Sequence, residues 1–429
     1  MTMFVLIIVV FVLGYGAIAF EHPLRVNKAA PALLTGMLIW SLIMVFHDQL
    51  GLLEGPEQLV ERLYHHLSRA ASILFFLLGA MTVVELIDAH SGFQVVTDRI
   101  TTINRRQLFW LVGGFTFVLS AILDNLTTSI VMAALMRKLM VDRDDLWTFG
   151  GVVIIAANAG GAWSPIGDVT TIMLWIGGQV TTWNIIAKTF LPSVVCLVLP
   201  LLWFSLRSRG QIQRPIEVRD DTFAVSKRTR ITVFVLGLGT LLGVPVFKSL
   251  THLPPFMGIM FGLGILWWYT ERVHSAGDEN RGQYQVTAIL TRIDHSSILF
   301  FLGILIAIGG LETSGHLSRL ASTLDRWVPN VFALNSVIGV LSAIVDNVPL
   351  VAAAQGMYPL SVYPPDHIFW ELLALCAGTG GSLLIIGSAA GVAVMGVLKI
   401  DFMWYVRRML MPAALGYVGA LTTFWLMWA

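Results

Sequence analysis

Charge is scarce in this chain. Asp, Glu, Lys and Arg make up 12% of its 429 residues, against about 25% in an ordinary soluble domain, while 56% are hydrophobic. The mean hydropathy is +0.78. So few charges cannot clothe a soluble surface, which excludes a soluble enzyme and a nucleic-acid binder and leaves an all-α polytopic membrane protein. Cysteine is scarcer still. Cys196 and Cys376 both sit in apolar sequence far apart, offering neither a disulfide framework nor metal-ligand spacing. Basic residues are missing ahead of the apolar run 3–20. Although that run ends in the signal-like Ala17-Ile18-Ala19, it is expected to be a first spanning helix and not a cleaved signal.

What the chain has in plenty is apolar runs. They lie near 2–20, 30–46, 67–87, 147–178, 185–206, 231–247, 254–270, 295–311, 367–398 and 405–428, most of them near the roughly 20 residues a membrane helix needs. The runs 147–178 and 367–398 are too long for one plain helix and carry Gly-Gly near their middles, so each is expected to be a broken helix. Segments 108–140 and 331–358 go apolar, reach Asp-Asn, and go apolar again in arms of about 12 to 16 residues, too short to span, and are expected to be re-entrant hairpins.

The few charges are unevenly distributed. With the N-terminus outside, the loops at 21–28, 88–107, 137–145, 207–230, 271–294 and 399–408 are cytoplasmic. The other side then holds Arg62, Arg69, Lys188, Lys248, Arg319 and Arg326, and the cytoplasmic loops hold the remaining 21 of the 27 basic residues. Both termini are then expected to be periplasmic. The basic stretch 207–230 reads as a cytoplasmic linker between halves.

Those halves are related. Ser72-Ile73-Leu74-Phe75-Phe76-Leu77 is repeated as Ser297-Ile298-Leu299-Phe300-Phe301-Leu302, Leu119-Ser120-Ala121-Ile122-Leu123-Asp124-Asn125 returns as Leu341-Ser342-Ala343-Ile344-Val345-Asp346-Asn347, and Asn158-Ala159-Gly160-Gly161 is followed by Gly378-Thr379-Gly380-Gly381. The order is kept throughout. Five transmembrane segments per half would set the second half upside down, so residues 1–206 and 231–429 are expected to be inverted-topology repeats, each with a hairpin and a broken helix, around a site near the midplane.

Buried carboxylates indicate what such a site would hold. Each costs roughly 3 kcal/mol near the centre of a membrane helix on insertion scales, so two in matching places argue for a purpose. Breaks free backbone carbonyls, and these, with Asp, Asn, Ser and Thr oxygens, suit a small hard cation. The first half offers Asp124, Asn125, Thr127, Thr128, Asn158, Ser164, Asp168, Thr170 and Thr171. The second offers Asp346, Asn347, Thr379, Ser382 and Ser388. It is poorer, because Pro349 replaces Thr127, Leu350 replaces Thr128, Ile385 replaces Pro165 and Ser388 replaces Asp168, so an asymmetric site is expected. A single Asp-Asn is an ordinary turn or cap pair; two copies in one context point to function. Asp168 reads either as a ligand or as a cap for the second half-helix. Asn158 reads either as a ligand or as a tie for broken backbone. Glu85 and Glu312 end matching apolar runs and read as interfacial or as proton relays. No resident cofactor is expected.

Residues 72–178 and 297–398, carrying LSAILDNLTTSIV, NAGGAWSPIGDVTTIMLW and LSAIVDNVPLVAAA, resemble the bacterial NhaD-type sodium/proton antiporters of the ion transporter superfamily. The resemblance implies exchange of sodium or lithium for protons and a hairpin-plus-broken-helix fold shared with divalent anion/sodium symporters. It further implies a homodimer, a bacterial inner-membrane location, and roles in transport for Asp124, Asn125, Thr128, Asn158, Asp168, Thr170, Asp346 and Asn347. The residues favour the same reading. Fixed negative charge at both tips repels an anionic substrate and holds Na+ directly through Asp124, Asn125, Asp168, Asp346 and Asn347, and clustered carboxylates let a proton and a cation compete for the same oxygens. The rivals are a sodium-coupled anion symporter or arsenite-type efflux protein of the same fold, a passive channel, and an intramembrane aspartyl protease. The last lacks a Tyr-Asp motif and leaves the duplication unexplained.

Overall fold

The computed structural model describes residues 2–19, 24–50, 52, 55–93, 102–208, 210–213, 225–274 and 281–428. Among these residues every extended element is helical. Six helices are long and apolar enough to cross a membrane: Pro56–Ala89, Arg105–Leu123, Thr182–Arg207, Lys227–Thr251, His295–Thr313 and Phe402–Trp428. With the shorter apolar helices Ala29–Val45, Val331–Leu341, Ile368–Gly380 and Ala389–Leu398, they make a polytopic helical membrane protein.

Helix boundaries follow local chemistry. Pro56 and Pro255 open their helices at the first position, where no backbone N–H is required. Asn104 caps Arg105–Leu123, its Oδ1 accepting from the Arg106 and Gln107 amides at 3.0 and 3.4 Å. Asp142 does the same for Arg143–Gly161, accepting from Asp144 and Asp145 at 3.0 and 2.9 Å. The helix after the expected linker begins at Lys227, within the range 207–230, because Ser226 caps it by accepting from the Thr229 amide. Residues 209 and 214–224 of that linker lie outside the described residues.

Both Asp-Asn segments fold as two helices that meet at the tip, the arms of the expected hairpins. Arg105–Leu123 and Asn125–Leu139 pack on each other, whereas Val331–Leu341 and Asn347–Met357 pack mainly on neighbouring helices. Three of the four arms, of 15, 11 and 11 residues, are too short to span. The arm Arg105–Leu123 has 19 residues and is long enough, contrary to the expected 12 to 16. The reason is its cap, because Asn104 recruits the polar Arg105, Arg106 and Gln107 as a first turn ahead of the apolar stretch. Each long Gly-Gly run is broken, into Arg143–Gly161 and Val169–Ile176 and into Ile368–Gly380 and Ala389–Leu398.

Packing pairs the elements in matching ways. Arg105–Leu123 lies on Arg143–Gly161, and Val331–Leu341 lies on Ile368–Gly380. Asn125–Leu139 meets Ala389–Leu398, and Asn347–Met357 meets Val169–Ile176. Glycines permit the two hairpin contacts. A Cβ at Gly160 would overlap the Phe117 carbonyl, and one at Gly380 would overlap the Gly339 carbonyl. The same hydrogen bond recurs beside each: Ser120 Oγ donates to the Ala157 carbonyl at 2.6 Å, and Ser342 Oγ donates to the Ala377 carbonyl at 2.7 Å. Thr182–Arg207 packs along Phe402–Trp428, and Ala29–Val45 along His295–Thr313.

Candidate cation site

Four helices start where the hairpins and broken helices meet: Asn125–Leu139, Val169–Ile176, Asn347–Met357 and Ala389–Leu398. Four others end there, so amide N–H groups and carbonyls without intrahelical partners converge on one buried region. Asp168, 1% exposed, sits at its centre as the cap of Val169–Ile176. Its Oδ1 accepts from the Thr170 amide and the Thr170 hydroxyl, each at 2.9 Å. Its Oδ2 accepts from Asn125 Nδ2 at 2.5 Å and from Asn347 Nδ2 at 3.1 Å. One carboxylate from the first broken helix is therefore held by an amide from each hairpin.

The network extends across the two halves. Asn125 Nδ2 also donates to Asn158 Oδ1 at 3.1 Å. Asn158 is fully buried, and its own Nδ2 donates to Ser382 Oγ at 2.9 Å and Ser388 Oγ at 3.0 Å. Asn125, Asn158, Asp168, Thr170, Asn347, Ser382 and Ser388 thus form one connected cluster of oxygens and amides, burying polar groups that would each be costly alone.

Asp124 and Asp346 stand beside this cluster in unlike states. Asp124 holds φ +88° at the first tip, a backbone conformation uncommon for a non-glycine residue. Its side chain folds back onto Thr127, accepting from the amide at 2.8 Å and the hydroxyl at 2.9 Å. Asp346 makes no such cap. Its Oδ2 lies 3.5 Å from Lys28 Nζ, and its Oδ1 is buried with no hydrogen-bond partner among the described residues. Among the described residues the buried hydroxyl of Thr128 has no partner either. Unmet oxygens of this kind, one from each tip, are what a dehydrated cation would satisfy.

A family model described as Citrate transporter matches residues 5–373. Sodium/proton antiporter 1 of Arabidopsis thaliana is 49% identical over 96% of this chain and 71% of its own length. Sodium/proton antiporter 2 of the same plant is 45% identical over 96% and 97%. The Na(+)/H(+) antiporter NhaD of Vibrio cholerae serotype O1 is 32% identical over 96% of this chain and 89% of its own. The chain belongs to the NhaD-type sodium/proton antiporter family.

Not every residue picked from the sequence of this NhaD-type chain joins the cluster. Thr379 donates to the Leu375 carbonyl within its own helix at 2.5 Å, and Ser164 Oγ accepts the Ile166 amide at 3.4 Å in the break. Thr171 braces Asp168 from behind, donating to its carbonyl at 2.8 Å and accepting from its amide at 3.2 Å. Glu85 is partly exposed and pairs with Arg292 at 3.8 Å. Glu312, with His66, Arg69, Lys248 and Gln355, lines a cavity of about 810 Å3. Met173 and Gln355 also line it, placing it at the far ends of the half-helices that begin at Asp168 and Asn347. Lys28 was missed. Its signal was the Thr127-to-Pro349 difference, which leaves Asp346 without its cap and open to another partner.

Proposed function

We propose that this NhaD-type chain exchanges Na+ or Li+ for H+ by alternating access, with protons and cation competing for the carboxylates at the hairpin and broken-helix tips. The observation that carries the reading is Asp168, bridged by Asn125 Nδ2 and Asn347 Nδ2, one amide from each hairpin. In this geometry the two amides satisfy the carboxylate. Half a turn of either side chain replaces an N–H donor by a carbonyl oxygen, which converts a stand-in for the cation into a ligand for it. The Thr128 hydroxyl and Asp346 Oδ1 supply further unmatched oxygens.

The shared architecture supports an inverted repeat of five transmembrane segments each, 1–206 and 231–429. Matching helix pairs and the twin serine bonds of Ser120 and Ser342 are what such a repeat would produce. A pseudo-two-fold axis in the membrane plane then lies near Asp168, and rocking of one repeat against the other exposes the site to either side. The basic-residue bias supports periplasmic termini in a bacterial inner membrane. A homodimer completes the reading.

Purified protein in liposomes with an imposed sodium gradient and an internal pH dye tests it. Sodium-driven proton movement is the expected result. Because the family model is named for citrate, the same liposomes are assayed for sodium-driven uptake of labelled citrate. Uptake without proton exchange would overturn the antiporter reading in favour of a symporter.

A further inference from the structure

The two hairpin tips differ in one residue that decides where a carboxylate goes. At the first tip, Thr127 offers both an N–H and a hydroxyl, and Asp124 turns back to accept both. At the second tip the corresponding position is Pro349, which has neither. Asp346 has no such bond to make at that position and does not cap its helix, and its carboxylate instead sets one oxygen toward Lys28 while the other has no hydrogen-bond partner among the described residues.

Lys28 is held there by a rigid base and a flexible stem. It immediately precedes the helix Ala29–Val45, which is clamped to His295–Thr313 so closely that a Cβ at Gly303 would press on the Ala32 and Leu33 backbone. Trp40 Nε1 donates to the Ile306 carbonyl at 2.9 Å across the same contact. The ammonium lies 4.5 Å from the centroid of the buried Phe300 ring, a cation–π seat beside the carboxylate. At 3.5 Å the pair is longer than the 2.7–2.9 Å typical of a charge-assisted hydrogen bond, so attraction holds it without tight directional bonding.

We propose that Lys28 is a tethered counter-cation of the translocation site, pairing with Asp346 when no sodium is bound and displaced from it when sodium arrives. This rests on the antiport reading above. Three carboxylates, Asp124, Asp168 and Asp346, in one buried region repel one another when empty, and a resident ammonium offsets one of those charges without needing an ion from solution. A transported cation then competes with a lysine whose stem can swing aside while its root stays fixed. Asp124 has Thr127 in place of such a cation, which makes the two tips unequal.

Equilibrium binding of 22Na+ to the purified full-length protein at fixed pH tests this. Lys28→Gln should bind sodium about two- to fivefold more tightly than wild type, the scale of a partly exposed ion pair. The gain should vanish when Asp346→Asn is combined with it. Lys28→Cys, in a background lacking Cys196 and Cys376, gives an internal control on one folded sample. Attaching an aminoethyl group through a methanethiosulfonate reagent should restore the weaker wild-type affinity, and a neutral reagent of similar size should not. Unchanged or weakened affinity in Lys28→Gln, with wild-type binding intact, overturns this inference alone. Absence of sodium binding by the wild-type protein overturns it together with the antiport reading.

Discussion

Asp168 carries more of the cluster than any other side chain. Both hairpin amides and Thr170 converge on its two oxygens, so Asp168→Asn replaces an acceptor with a group that is half donor. Hydrogen bonds to charged groups contribute about 1.5–3 kcal/mol each, so sodium affinity should fall at least about tenfold in 22Na+ binding, and exchange in liposomes should fall with it. Ser388→Ala removes one of two acceptors for Asn158 and leaves Ser382 in place, so a loss of about threefold or less is expected. Asp124→Asn and Asp346→Asn should each severely cut exchange while the protein still inserts, because shape is nearly kept and charge is not. Near-wild-type turnover in both would remove the tips from the mechanism. Much of this cluster was legible in the residues, since paired Asp-Asn tips and polar residues after the breaks stand out in apolar sequence. Lys28 was not, because its partner is 318 residues away and its basic character fitted an ordinary cytoplasmic loop.

At the level of elements, the breaks and tips were readable because glycine pairs and buried carboxylates interrupt otherwise uniform runs. Arm lengths were less so. Polar first turns such as Arg105, Arg106 and Gln107 do not look apolar, yet a cap makes them helical. The helix His316–Trp327 escaped notice for a related reason: its apolar residues form a single stripe among Arg319, Asp325 and Arg326, never a run. The close crossings make a separate prediction. Gly160→Ala and Gly380→Ala each place a methyl against a backbone carbonyl that cannot move aside, and overpacking of this kind costs about 1–3 kcal/mol. Thermal unfolding in detergent, followed by tryptophan fluorescence, should show a lowered midpoint for both. Gly114→Ala, where a Cβ meets nothing within 4 Å, should leave the midpoint unmoved or slightly raised. Equal behaviour of all three would mean that the crossings are looser than drawn.

On the scale of the whole molecule, two features of the site bear on exchange: its sidedness and its dependence on protons. If the basic residues mark the cytoplasm, a cysteine at Arg219 is labelled only from inside and one at Glu57 only from outside, in a background without Cys196 and Cys376. Labelling of Arg219→Cys in intact cells would reverse the orientation. The proton dependence follows from the charge inventory. Asp124, Asp168 and Asp346 are the acids at the tips and breaks, while Glu85 is paired with Arg292 and Glu312 faces the separate cavity. The buried Glu371 of the second broken helix is paired with Lys188 at 3.3 Å, which leaves few independent proton carriers beside the tips. A carboxylate must be ionised to bind sodium, so protons and sodium are linked with a definite sign: lowering the pH fills the oxygens with protons, and apparent sodium affinity drops about tenfold per pH unit for each proton released on binding. Exchange should then slow in acid because sodium no longer binds, with no separate sensor required. Calorimetric titration of sodium across a pH series measures the slope directly. Asp168→Asn should flatten it more than Ser388→Ala does, since only the first removes a titrating oxygen. An affinity that stays constant from acid to alkaline pH would sink shared-site competition and move the proton to a remote carrier such as Glu85.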